Sequence, residues 1–173
     1  MIKFWQKRIK SPLMTRDFKV DDELKRLRDK LKNEIKKRFA GSLSIRMVSA
    51  GSCNACEAEC NALSNPYYDL ERLGIRFVAS PRHADVMLLS GVVGVNMYHH
   101  VLDAYAQMPK PSFVISLGDC PILEGVFKES FAVLGADALN IPIDYHIKGC
   151  PPTPEEIIKG FLGFLESVSI PEK

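Results

Sequence analysis

Two short, largely apolar runs, Val86–Ser90 and Phe113–Leu117, limit most strongly the folds that this sequence can adopt. Each run is bounded by turn-forming residues, a pattern typical of a strand that is covered on both faces. Weaker strand patterns occur at 44–49, at 75–78 and, irregularly, at 141–147. Helical patterns lie between these strands. The alternation predicts an α/β fold with a mostly parallel sheet and helices on both faces.

The predicted helices are defined by their ends as well as by their apolar stripes. The first is predicted to begin at residues 21–23, where acidic side chains favour the positive end of the helix dipole, and to stop at Gly41. Two more are predicted from Ala55 to Leu63 and from Met97 to Gln107. The last follows Thr153, where a capping threonine precedes a proline and two acidic residues.

The first forty residues differ from the rest of the chain in charge. They are rich in Lys and Arg, with Phe4, Trp5 and Phe18 among them, whereas the remainder is mildly acidic. We therefore predict that residues 1–40 form a basic arm and helix that dock on a partner or a membrane surface, and that residues 41–173 form the domain that carries the site. The net charge of +2 does not indicate nucleic acid as a partner.

Five cysteines are the residues most suggestive of chemistry. Cys53 and Cys56 have C-x-x-C spacing, Cys60 follows four residues later, and Cys120 and Cys150 lie in distant turns next to proline. Neither a secretory signal nor a stretch of eighteen apolar residues is evident, so disulfides and a membrane span are not expected. Cys53, Cys120 and Cys150 each follow a predicted strand. In a parallel sheet their turns share one edge.

Four thiolates at one sheet edge suit an iron–sulfur cluster or zinc. Backbone amides and a helix start are expected to lower the pKa of thiols in the C-x-x-C turn. A structural zinc site, a redox pair of Cys53 and Cys56 alone, and buried inert thiols are the alternatives, and spacing leaves them open. Cys60 is predicted to pack as a small apolar residue rather than bind. Glu57 and Glu59 are candidate proton relays.

Five ordered motifs resemble those of one known family. It comprises the small subunit of membrane-bound, energy-converting [NiFe] hydrogenases of group 4 and the homologous terminal-cluster (20 kDa) subunit of respiratory complex I. The resemblance extends from about Ser44 to about Phe164. The motifs are Gly51-Ser52-Cys53-Asn54-x-Cys56, Asn65-Pro66-Tyr67-Tyr68-Asp69-Leu70-Glu71-Arg72-Leu73-Gly74, Ser80-Pro81-Arg82-His83-Ala84-Asp85, Gly118-Asp119-Cys120-Pro121 and Gly149-Cys150-Pro151-Pro152-x-Pro154-Glu155.

The resemblance implies a flavodoxin-like domain that binds one [4Fe–4S] cluster. The residues that match its ligands are Cys53, Cys56, Cys120 and Cys150. Glu59 matches a family glutamate linked to proton or quinone chemistry, and Arg82 and His83 match a basic turn close to the cluster. The sequence departs from the family pattern at Ala55, Cys60 and Leu123-Glu124, where glycine, an apolar residue and a Gly-Gly pair are common.

The resemblance also implies a function, that of a non-catalytic electron-transfer subunit of an oxidoreductase complex. Electrons that originate from ferredoxin would arrive through a ferredoxin-like iron–sulfur subunit and leave for the active site of a large catalytic subunit. Membrane-arm subunits would translocate ions, and this chain would be peripheral on the cytoplasmic side of the membrane. The alternatives are a sister complex that reduces sulfane sulfur or quinone, and a stand-alone zinc or thiol-redox protein.

Overall fold

The computed structural model describes residues 21–168, which form one sheet surrounded by helices. The five strands are β1 (Leu43–Ser49), β2 (Ile75–Phe77), β3 (Val86–Ser90), β4 (Phe113–Leu117) and β5 (Tyr145–Ile147). The four α-helices of this region are α1 (Asp22–Arg38), α2 (Ala55–Ala62), α3 (Tyr98–Ala106) and α4 (Pro154–Ser167).

All strand pairs of the sheet are parallel, in the order β2-β1-β3-β4-β5. This is the strand order of flavodoxin-like domains, and the predicted α/β class is confirmed. Every residue of the central strand β3 is buried. Its continuous apolar run therefore reflects a strand that is covered on both faces.

The two faces of the sheet pack against different helices. Leu31 of α1, Cys60 of α2 and Phe161 of α4 share a core with Ile45 and Leu88 of the sheet. On the opposite face, α3 and the 3-10 turn Ala136–Leu139 pack against the strand residues that alternate with these, such as Met87 and Leu89 of β3. Successive side chains of β1 and β3 point to opposite faces of the sheet, so each strand contributes residues to both cores.

The helix ends follow the sequence signals closely. Asp21 accepts a hydrogen bond from the backbone of Glu23 and begins α1. Thr153 and Glu156 form a reciprocal capping box at the start of α4. The first helix ends at Arg38, three residues before Gly41, which has a φ of +91° just beyond it. The predicted arm at residues 1–20 lies outside the described residues, so its docking role stays a prediction.

The predicted strand at 141–147 was too long. Only Tyr145–Ile147 pairs with β4. Pro142 has no N–H to donate to a strand ladder, which limits pairing at its position. Asp144 instead accepts a hydrogen bond from the backbone of Val114 through its carboxylate, at 2.7 Å. Within residues 21–168, no helix has the length and apolar character needed to cross a membrane.

Candidate cluster site at the carboxyl edge of the sheet

The loops that follow β1, β4 and β5 bring four cysteines into one neighbourhood. Cys53 and Cys150 are exposed, whereas Cys56 and Cys120 are buried. Burial, followed by the charges of Glu57, Cys120, Cys53 and Cys150, raises the pKa of Cys56 from 9.0 to about 12. A Cβ added at Gly118 would lie 2.9 Å from Sγ of Cys56 and 3.1 Å from the carbonyl oxygen of Gly149. The Cys53–Cys56 turn therefore meets the loops of Cys120 and Cys150 at the carboxyl edge of the sheet.

The loops of Cys120 and Cys150 are joined by two hydrogen bonds between Asp119 and Gly149. Asp119 donates its N–H to the carbonyl of Gly149 at 3.0 Å, and Gly149 donates its N–H to the Asp119 carboxylate at 2.8 Å. These contacts fix the two distant turns relative to each other, although 30 residues separate them in sequence.

Gly118 and Gly125 have no side chain, and this leaves room for the sulfurs of Cys56 and Cys120. A Cβ at Gly118 would lie 2.9 Å from Sγ of Cys56, and a Cβ at Gly125 would lie 2.6 Å from Sγ of Cys120. Both distances are shorter than a carbon and a sulfur atom tolerate without movement. A side chain at either position would therefore displace a thiol of the site.

The pKa values of the buried thiols correct one sequence-based expectation. Burial raises the pKa of Cys120, and the charges of Cys150 and Cys53 raise it further. The pKa of Cys56 is raised as well, so the lowering that amides and a helix start were expected to cause in the C-x-x-C turn is outweighed at Cys56. Neighbouring thiols with raised pKa values become thiolates when a cationic centre binds them. The donor set fits such a centre.

The spacing of the donors bears on the kind of centre. Among residues 21–168, no three His, Cys, Asp or Glu side chains converge closely enough to hold a single metal ion. Tetrahedral zinc with Zn–S bonds of about 2.3 Å would need sulfurs roughly 4 Å apart. In an iron–sulfur cubane each thiolate binds a different iron, so the four thiols surround a larger group. Thiolates are donors to both kinds of centre.

Cys60 lies on α2, one helical turn after Cys56. Its exposed fraction is 1%, and it packs in the core between α2 and the sheet. Burial, then the charges of Cys56, Glu57 and Glu59, raises its pKa to about 12. Cys120 and Cys150 are not among the charges that act on it. This position agrees with the predicted role of Cys60 as a packing residue.

Glu57 is held by a set of contacts that the sequence did not reveal. The exposed fraction of Glu57 is 5%. Its Oε1 accepts hydrogen bonds from the hydroxyls of Ser49, Ser52 and Ser90. Burial alone would raise the pKa of Glu57, but the three serine hydrogen bonds outweigh burial and lower it. Glu59, the other candidate relay, is half-buried on the same helix.

Arg82 and His83 lie in the 3-10 turn Pro81–His83, in the connection from β2 to β3. This connection is tied to the amino half of β1, because Asp85 donates its N–H to the carbonyl of Ser44 at 2.8 Å. Neither side chain is among the charges that shift the pKa of Cys56 or Cys120. Their assignment to the surroundings of the cluster stays a prediction.

An exposed apolar surface adjoins the site. It consists of five side chains from two loops, and we call it the apolar rim: Val95, Val126, Phe127, Phe131 and Leu134. Phe131 is fully exposed. Phe127 lines, together with Cys53 and Val92, a cavity of about 260 Å³. The rim therefore reaches the edge of the cysteine site.

The fold and the site together define a class of protein. It is a flavodoxin-like α/β domain with four free thiols in the loops at the carboxyl edge of its sheet. The sequence profile of the NADH ubiquinone oxidoreductase 20 kDa subunit family matches residues 53–164. The chain belongs to this family.

Relatives in the family come from several kinds of complex. The chain is 40% identical over 139 residues to formate hydrogenlyase subunit 7 of Escherichia coli, covering 79% of this chain and 54% of the relative. It is 43% identical over 123 residues to a probable membrane-bound hydrogenase subunit of Pyrococcus furiosus, covering 70% of this chain and 73% of the relative. The chain thus spans about half the length of the first relative and most of the second.

A solved structure shows the same fold in another complex. A subunit of the membrane-bound sulfane sulfur reductase, an archaeal respiratory membrane complex, superposes with a TM-score of 0.64 and 32% identity. The superposition covers 80% of this chain and 75% of that subunit. These similarities place the chain among small subunits of the complex I and group 4 hydrogenase family.

Proposed function

We propose that this chain is the electron-transfer subunit of a membrane-bound, ferredoxin-linked oxidoreductase complex, and that Cys53, Cys56, Cys120 and Cys150 bind one [4Fe–4S] cluster. The observation that carries the proposal is that the loops bearing four free thiols meet at one edge of the sheet. When bound, such a cluster accepts and donates electrons at a potential set by its surroundings.

The residues of the site would each contribute to binding and shielding. Cys56 and Cys120 are buried and would hold the cluster on the protein side. Cys53 and Cys150 are exposed and would face a partner or solvent. Gly118 and Gly125 keep the space beside the buried thiols free of side chains. The chain thus leaves one side of the site open, as a subunit that exchanges electrons with a partner requires.

Family membership supports a proposal about the partners. We propose that a ferredoxin-like iron–sulfur subunit delivers the electrons and that a large catalytic subunit receives them. Ion translocation would belong to the membrane-arm subunits, and this chain would lie on the cytoplasmic side of the membrane. The likeness to the sulfane sulfur reductase subunit favours a second candidate, the same relay in a complex that reduces sulfane sulfur or quinone.

The apolar rim supports the large subunit as a direct neighbour. Exposed aromatic side chains beside a binding site commonly mark a protein interface. We expect Phe131→Asp to weaken association with the large subunit more than tenfold, because full burial of a Phe side chain contributes about 1.5–3 kcal/mol and a buried unpaired charge opposes binding. Co-purification of the tagged complex at several salt concentrations measures the effect.

A control separates this effect from a general effect of added charge. Gln107 is exposed at the end of α3, away from the apolar rim. Gln107→Asp introduces the same side chain and should leave the yield of the complex unchanged. Equal yields from Phe131→Asp and Gln107→Asp would show that the rim is not the interface.

The relay itself is tested in the intact complex during turnover. Samples frozen within one turnover should contain the cluster of this subunit in both oxidation states, detected by electron paramagnetic resonance at low temperature. A centre that keeps one oxidation state while the complex turns over would exclude an electron-transfer role for this chain.

A further inference from the structure

The strand order places a topological switch point between β1 and β3. From β1 the chain leads to β2 on one side, and from β3 it leads to β4 on the other side. In open parallel sheets, the crevice beyond the carboxyl ends at such a point commonly accepts a ligand. Here Ser49 and Ser90, the last residues of the two strands, are register partners. The carboxylate of Glu57 lies between them.

A single oxygen of Glu57 joins three segments of the chain. Oε1 accepts hydrogen bonds from Ser49 at 2.8 Å, from Ser52 at 2.6 Å and from Ser90 at 2.5 Å. Ser90 is fully buried. Hydrogen bonds to a carboxylate are roughly twice as strong as those between neutral groups. We call this group of four residues the serine–carboxylate hub.

The hub encloses the C-x-x-C turn from both sides. Ser52 directly precedes Cys53, and Glu57 directly follows Cys56. Between them, Asn54 has a φ of +70°, a left-handed conformation that a non-glycine residue keeps only where its surroundings impose it. The hydrogen bonds of Ser52 and Glu57, at the two ends of the turn, impose this conformation.

The backbone supports the same arrangement. Ala50 donates its N–H to the carbonyl of Ser90 at 2.8 Å. A Cβ at Gly91 would lie 2.7 Å from the nitrogen of Ser52, so the loops after β1 and β3 are in direct contact. The hub therefore ties the cysteine turn to two strands of the sheet.

We propose that Glu57 is a positioning residue, which fixes Cys53 and Cys56 relative to the sheet through one carboxylate oxygen and three serines. This inference rests on the proposed cluster. Its consequence is that the thiols are already in place before the cluster binds, and that they release the cluster slowly.

The proposal is tested with the full chain, separated from its partner subunits and purified without oxygen. The readouts are the rate at which iron is lost to a chelator and the g-values of the reduced cluster. Glu57→Ala should lose iron at least tenfold faster than the wild type and show shifted g-values. Glu57→Gln keeps one carbonyl oxygen at the hub and should give an intermediate rate. Ser90→Ala, which removes one of the three donors, should also be intermediate.

Glu71→Gln serves as the matched control, because Glu71 is exposed on the 3-10 turn Leu70–Leu73 and undergoes the same chemical change. Its iron loss should equal that of the wild type. If Glu57→Ala does not fold, Glu57→Gln and Ser90→Ala decide the matter. Wild-type rates and g-values in both would overturn the proposal. Wild-type protein without iron would instead refute the proposed cluster.

Discussion

Cys150→Ala is expected to abolish the cluster, with iron falling from about four atoms per chain to a small fraction of that. Cys150 lies on the exposed side of the site, in the loop that is joined to that of Cys120. Removal of one of four thiolates leaves an iron without a protein ligand, and no other cysteine is close to replace it. Iron and acid-labile sulfide analysis of anaerobically purified protein measures the loss.

Cys60→Ala is the matched control, because the same atom is removed from a cysteine outside the site. Iron content should stay at the wild-type value. The free energy of unfolding should fall by about 1 kcal/mol, since a small cavity replaces a sulfur atom that is 1% exposed. Iron loss in Cys60→Ala with retention in Cys150→Ala would overturn the assignment of ligands.

Gly118→Ala is expected to have the second-largest effect. The new Cβ would lie 2.9 Å from Sγ of Cys56 and 3.1 Å from the carbonyl oxygen of Gly149. Either the thiol rotates away or the Cys150 loop shifts, and both movements separate donors of the site. We expect cluster loss to a chelator to be at least tenfold faster, measured by the decay of visible absorbance.

Gly41→Ala controls for backbone strain at Gly118. Gly118 has a φ of +79° and Gly41 a φ of +91°, so alanine costs roughly 1–2 kcal/mol at both positions. A Cβ at Gly41 would have no atom within 4 Å. Gly41→Ala should therefore lower the free energy of unfolding, but its rate of cluster loss should equal that of the wild type. Equal cluster loss in both variants would show that strain, and not the contact with Cys56, is responsible.

The sequence predicted the fold class because its signals were local and strong. The apolar runs of β3 and β4 have the length and flanking turns of buried strands, and Thr153 carries the full capping signal of α4. The position of the cysteines after strands was enough to predict that their turns meet. In a parallel sheet the carboxyl ends of all strands lie at the same edge, so the turns that follow them lie there too.

The parts that the sequence did not predict depend on contacts between distant segments. Ser49, Ser52 and Ser90 follow no pattern that distinguishes them from ordinary loop serines, and only the register of β1 and β3 brings them to Glu57. The raised pKa of Cys56 likewise depends on burial and on thiols up to 94 positions away in sequence, at Cys150. The apolar rim is visible only once exposure is known.

The central claim is that four thiols of this chain hold one [4Fe–4S] cluster. Metal and acid-labile sulfide analysis of the anaerobically purified full chain, separated from its partner subunits, tests it most directly. We predict brown protein with about four iron and four sulfide per chain, which a reductant converts to a single paramagnetic centre. Colourless protein with one zinc per chain, or iron that survives the loss of Cys150, would contradict the claim.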